Sequence, residues 1–268
     1  MDVRVSAETI GESVRRPGQP ALGAALAVVL LTAALNACGT AAAAQEKTVD
    51  QADFHYQLAN GYFYDRNTIA AMQECLAAIE INPNHPDAHH LLGFIYFGRK
   101  QYPEAIAEFQ KAIAARERFY EAISNLGAVY LAQKRWDDAI AQYEQLTREQ
   151  LYPTPSLAHV NLGWALYNLK RYSEALEHYK LALFLNPQLC LGYNNLGLLY
   201  EAMGEEDLAL ESLQMASEKC PKYAEPQFHL GRLLTRRGHV AEATRAFERC
   251  HELEPDSQLG RRCATRRL

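Results

Sequence analysis

From about residue 52 onward, apolar and small residues return along the chain with a period of 34. A leucine followed by a small residue occurs at Leu58-Ala59, Leu92-Gly93, Leu126-Gly127, Leu162-Gly163, Leu196-Gly197 and Leu230-Gly231. The spacing is 34 throughout, apart from one step of 36 between Leu126 and Leu162. Six frames follow, at residues 52–85, 86–119, 120–153, 156–189, 190–223 and 224–257. Within a frame, position 7 is always Leu and position 20 always Ala: Ala71, Ala105, Ala139, Ala175, Ala209 and Ala243. Position 27 is small in five frames, and position 32 is Pro83, Pro187, Pro221 or Pro255 in four. Positions 4, 7, 8 and 11 share one face of a helix. Proline near position 32 ends a second helix. Each frame therefore predicts two helices. Glycine costs about 1 kcal/mol against alanine inside a helix, so five glycines at position 8 predict close helix packing there.

This pattern resembles the tetratricopeptide repeat, a 34-residue helical hairpin. The resemblance implies an all-α, right-handed superhelical solenoid in which each hairpin packs on its neighbours. It also implies that the first helix of each repeat lines a concave groove with positions 2, 5, 9 and 12. Here those positions give Tyr56, Asn60 and Phe63, then His90, Phe94 and Phe97. The third repeat offers Ser124, Ala128 and Leu131; the fourth offers Val160, Trp164 and Tyr167. Asn194 and Leu198 follow in the fifth, Phe228 and Arg232 in the sixth. So aromatic a stripe suits an extended or helical peptide, although the same rings could pack between hairpins as core.

The N-terminal segment is of another kind. Ala21–Leu35 is uncharged and almost wholly apolar, follows Arg15, Arg16 and Pro17, and precedes Asn36-Ala37-Cys38. That is the layout of an export signal. A run of about 15 residues falls short of the roughly 20 needed to span a bilayer, though an uncleaved membrane anchor is the competing reading. Leu35-Asn36-Ala37-Cys38 resembles the lipobox of bacterial lipoproteins, which implies cleavage after residue 37 and acylation of Cys38. No Asp follows in Gly39-Thr40 to hold such a protein at the inner membrane, so the expected address is the periplasmic face of the outer membrane. Residues 38–51 read as a flexible tether, and residues 258–268, with Arg261, Arg262, Arg266 and Arg267, as a basic tail that is either disordered or folded back on the acidic body.

Charge and chemistry narrow the function. The net charge is −5, and the leader contributes nothing to it. With a +4 tail, the repeats themselves are acidic, which disfavours nucleic acid. No phosphate loop, Cys-x-x-Cys or His-Glu-x-x-His occurs. His89 and His90 are adjacent, but by register one faces the core and the other the groove, so no metal site is expected; nor is a cofactor. Cys75 and Cys250 fall at core positions. Cys190 and Cys220 begin and close repeat five and could form a disulfide in an exported protein, provided their Cα atoms lie within about 7 Å.

The two residues in excess of the period fall in Leu151-Tyr152-Pro153-Thr154-Pro155-Ser156-Leu157, a proline-rich elbow expected to interrupt the solenoid. A lipobox, six repeats and this elbow together resemble the type IV pilus biogenesis lipoproteins, the pilotins of the PilF, PilW and Tgl group. The resemblance implies a non-enzymatic partner for subunits of an outer-membrane secretin. In that role Cys38 is the membrane address and Tyr56, Phe63, Phe94, Phe97, Trp164 and Tyr167 are the leading contacts. A general periplasmic adaptor is the alternative. A cytoplasmic co-chaperone would need a carboxylate clamp, for which Asn60, Asn194 and Arg232 are too dispersed.

Overall fold

A computed structural model describes residues 50–266. The signal segment 1–37, Cys38 and the tether up to residue 49 lie outside the described residues. The rest forms an all-helical solenoid. Helix α1 is described over residues 50–64. There follow α2 (Thr68–Ile81), α3 (Pro86–Gly98), α4 (Tyr102–Ala115), α5 (Tyr120–Ala132) and α6 (Trp136–Thr147). Beyond the elbow come α7 (Pro155–Asn168), α8 (Tyr172–Leu185), α9 (Cys190–Met203), α10 (Glu206–Lys219), α11 (Ala224–Arg236), α12 (Val240–Leu253) and α13 (Gln258–Ala264). Among the described residues no helix is long and apolar enough to cross a membrane.

The two helices of each hairpin meet at the small residue of position 8. A Cβ added to Gly93, Gly127, Gly163 or Gly231 would sit 2.6–2.9 Å from the ring of Phe109, Tyr143, Tyr179 or Phe247, and one on Gly197 would sit 2.7 Å from Leu213. Each partner lies 16 residues on, one hole and one knob per repeat. In the first repeat the knob is the smaller Cys75, and there the hole is Ala59, both fully buried.

The turn between the two helices is also built alike in all six repeats. Arg66, Lys100, Lys134 and Lys170 have φ of 59–61°, and Gly204 and Gly238 have φ of 83° and 79°. The next residue's N–H reaches back to the carbonyl of position 11, as in Arg171 to Leu166 and Glu205 to Tyr200, both at 2.9 Å. That is a Schellman cap, which needs a left-handed residue and most often takes glycine. Four of the six turns hold a Lys or Arg there instead.

One expectation is corrected and one open alternative is decided. The elbow does not interrupt the core: one cluster of buried residues runs from Ala105 to Leu199 across it. Tyr152 folds inward, edge-on to Tyr120 at 5.8 Å, and α7 starts on Pro155, so the extra residues are absorbed outside the helix stack. Of its two expected forms the tail takes the second, folding back on the body up to Arg266. Ser257 caps α13, its hydroxyl accepting from the Gly260 N–H at 2.9 Å. Helix α13 lies against the last hairpin, with Gly260 so near that a Cβ would fall 1.8 Å from the Glu254 carbonyl. Cys263 is bonded to Cys250, so Cys250, although buried, is not a simple core residue. Cys190 and Cys220 are likewise bonded, with a Cα–Cα separation of 6.1 Å.

Candidate functional site

The stripe of positions 5, 9 and 12 divides into three sets. In repeats one and two the rings pack on one another. Phe63 meets Phe94 edge-on at 5.7 Å, Tyr56 lies 5.3 Å from His85, and Phe97 lies 6.2 Å from Tyr102. His90 lies 4.9 Å from Phe119 and its Nε2 is 2.9 Å from the Asn125 amide. Phe94 stays exposed, while Tyr56, Asn60 and Phe63 are half-buried. His89, facing the other way as its register requires, is buried against Glu108 at 2.5 Å.

Three members are corrected from groove surface to interior. Val160 is fully buried, Asn194 is 2% exposed and Phe228 3%. All occupy position 5, where Val160 faces the next repeat and Phe228 the C-terminal segment. Val160 Cγ2 lies beside Gly192 of α9. Phe228 is covered by Arg262 at 4.5 Å and Arg266 at 5.6 Å, from the C-terminal segment. In these repeats position 5 is covered by the element that packs next.

On the inner face of repeats four to six, two clefts share Leu198. The first, about 330 Å³, is lined by Asn161, Trp164, Leu191, Asn194, Asn195 and His229 among others. Trp164 stacks on Tyr167 at 5.3 Å and 16°, so the two rings form one continuous wall. The second cleft, about 290 Å³, is lined by Tyr167, Leu198, Glu201, Arg232 and Arg236. There Arg232 and Arg236 reach the Glu201 carboxylate at 3.2 and 2.5 Å. Burial, then the nearby Tyr172 and Glu201, raise the Tyr167 phenol. Burial and then Arg232 push His229 down to about 4, so its ring is neutral.

Asn161, Leu191, Asn195, Arg236 and His229 line the clefts without belonging to the stripe residues named from the sequence. Asn161, Asn195 and His229 all occupy position 6, one residue beyond the stripe, and that recurrence was the available signal. Among the described residues no group of three or more His, Cys, Asp and Glu is placed to hold a metal ion.

This arrangement is an apolar wall edged with amides and ion pairs, suited to holding a polypeptide. Family models of the tetratricopeptide repeat match residues 86–148, 124–189 and 192–218. Among curated proteins, the chain is 29% identical over 90 residues to the small glutamine-rich tetratricopeptide repeat-containing protein 2 of Mycosarcoma maydis. It is 36% identical over 83 residues to the photosystem I assembly protein Ycf3 of Prochlorococcus marinus (strain MIT 9215). Those matches cover 34% and 30% of this chain, and it spans only 26% and 48% of the two relatives. Among solved structures, Pseudomonas aeruginosa PilF superposes with a TM-score of 0.67 at 23% identity, over 82% of this chain and 99% of that one. PilW, described as a widely conserved type IV pilus biogenesis factor, superposes with a TM-score of 0.71 at 18% identity, over 80% and 98%. The repeats are tetratricopeptide repeats, and the chain folds as a tetratricopeptide-repeat solenoid similar to PilF and PilW.

Proposed function

We propose that this chain is a lipid-anchored, non-catalytic scaffold that holds a segment of an outer-membrane secretin subunit and assists secretin assembly in type IV pilus biogenesis. The observation that carries the binding role is the pair of adjoining clefts on the inner face of repeats four to six, with the Trp164–Tyr167 stack as their shared wall. Likeness of fold to two pilus biogenesis proteins over nearly their whole lengths supports the biological setting. The lipobox-like Leu35-Asn36-Ala37-Cys38 supports the anchor and the periplasmic face of the outer membrane. Anchoring takes more than one acyl chain, because a single chain binds membranes only marginally.

The test uses Cys38→Ala in cells. A folded protein that leaves the outer-membrane fraction and no longer supports heat-stable secretin multimers is the expected result. Normal multimers in that strain would remove the secretin role and leave a general envelope adaptor, which capture of a different client through the same clefts would identify.

A further inference from the structure

The α7–α8 hairpin carries a pair of histidines where two other hairpins carry an ion pair. At positions 4 and 23, repeats one and two set a histidine against a glutamate, His55 with Glu74 and His89 with Glu108. Repeat four sets His159 against His178, Nδ1 facing Nδ1 at 3.0 Å, with the rings nearly parallel at 22°. Two neutral imidazoles meet in this way only when one donates its Nδ1 hydrogen to the other's lone pair. The same spacing suits a different occupant. A metal ion bound by two ring nitrogens at about 2.0–2.1 Å, with a right-angled or tetrahedral bite, holds them about 2.9–3.4 Å apart. Both rings are half-buried rather than sealed, so an ion has access to them from solvent.

We propose that His159 and His178 form a two-imidazole site for a divalent transition-metal ion, of which Zn2+ is the reference case, bound through both Nδ1 atoms and completed by water. Imidazole nitrogen suits zinc, copper and nickel. On binding, the ring that donated its Nδ1 hydrogen carries it on Nε2 instead, so both lone pairs face the ion and no proton is lost. The surroundings agree with this chemistry. Burial lowers both histidines, and His178 lowers His159 further, so both rings are neutral at pH 7, the form that ligates a metal. Glu177, Glu144 and Glu174 pull His178 the other way, a negative field that favours a cation. Glu144 and Glu174 are themselves paired with Arg148 and Arg171, and among the described residues no third His, Cys, Asp or Glu joins the pair. In repeats one and two the glutamate closes the place. Burial lowers His89, but its bond to Glu108 outweighs this and holds the proton that a metal would have to displace. A bound ion ties α7 to α8 in the hairpin that follows the elbow.

The test uses the full chain without an affinity tag, carrying Cys38→Ser so that this thiol does not compete. The probe is Zn2+ alone, followed by the imidazole nitrogen resonances and by calorimetry. One equivalent is expected to shift the Nδ1 resonances of His159 and His178 ahead of those of the other histidines. His178→Gln and, independently, His159→Gln are each expected to lower affinity by at least about 10-fold, since even partners outside the coordination shell are worth about 10–100-fold. His55→Gln should leave the affinity unchanged. With Zn2+ at about 100 times Kd, hydrogen exchange of the α7 and α8 amides is expected to slow by up to about 100-fold, and both Gln variants should lose that protection. The absence of any shift overturns the proposal, as does an affinity that survives both Gln variants or a first shift at His55, His89 or His239. An equal response to Mg2+ overturns it too, because that ion prefers oxygen ligands and would mark the surrounding carboxylates instead.

Discussion

The ring of Tyr179 fills the space that a side chain on Gly163 would need: a Cβ there would lie 2.6 Å from Cε1. The two residues face each other across the α7–α8 hairpin and stand for a contact made in every repeat. Gly163→Ala gains up to about 1 kcal/mol of helix propensity but overpacks a buried contact, at about 1–3 kcal/mol. A net loss of roughly 1–2 kcal/mol is expected in urea denaturation. Tyr179→Cys should relieve it in the double variant, recreating the Ala59–Cys75 pair of repeat one; additive losses would show that the two sites are not coupled.

The hydroxyl of Tyr179 is buried without a partner among the described residues, whereas that of Tyr143 donates to the Ser124 carbonyl at 3.3 Å. Burial, then the neighbouring Tyr167, raises the Tyr179 phenol strongly. Tyr179→Phe is therefore expected to hold or raise stability, and Tyr143→Phe to lower it by about 0.5–1.5 kcal/mol. Opposite signs in thermal melts are the readout.

Repeats one, two and four place a histidine at position 4 against position 23 of the partner helix. His55 faces Glu74 and His89 faces Glu108, but His159 faces His178, Nδ1 to Nδ1 at 3.0 Å. Burial lowers His159, and His178 beside it lowers it further; burial also lowers His178. Groups with depressed histidine pKa take up protons more readily when unfolded, so their contribution is present above about 6.5 and falls as pH drops below it. Burial pushes His89 down too, but its bond to Glu108 outweighs this and leaves it raised, so its contribution is full at low pH and lost as pH rises through the raised value. His178→Glu should consequently reverse the local trend: the α7–α8 hairpin becomes more, rather than less, protected from hydrogen exchange between about pH 7 and about pH 5. An unchanged pH dependence would show that the pair does not set it.

Closing loops of 30 and 13 residues, the two disulfides are each expected to contribute about 3–4 kcal/mol. Cys263→Ser should release α13 while leaving the six hairpins folded, uncovering Phe228 from Arg262 and Arg266. Faster exchange confined to residues 240–266 is the expected outcome. Faster exchange spreading to α7 would mean that the C-terminal helix supports the whole solenoid.

The period of 34, the invariant Leu and Ala positions and the inner stripe were legible because packing repeats them six times. The hole at position 8 was legible too, but its knob was not, since Cys, Phe, Tyr and Leu at position 24 share size classes rather than identity. The left-handed turn residue escaped notice because Lys or Arg stands in four of six places and only Gly204 and Gly238 carry the expected chemistry. Val160, Asn194 and Phe228 were misplaced because position 5 looks outward on an isolated helix and becomes interior only once the following element packs on it. The C-terminal segment hid its helix behind four arginines; Ser257, Gly260 and Cys263 were the signals for the cap, the close approach and the bond.

If the inner face of repeats four to six holds a polypeptide partner, that partner passes within reach of Leu198. Placing a photo-activatable residue at Leu198, shared by both clefts, tests it in cells that assemble pili, with the exposed Gln214 of α10 as the control position. A cross-linked adduct with the secretin subunit is expected from Leu198, lost on Trp164→Ala, and none from Gln214. Equal adducts from both positions, or a Leu198 adduct untouched by Trp164→Ala, would contradict it.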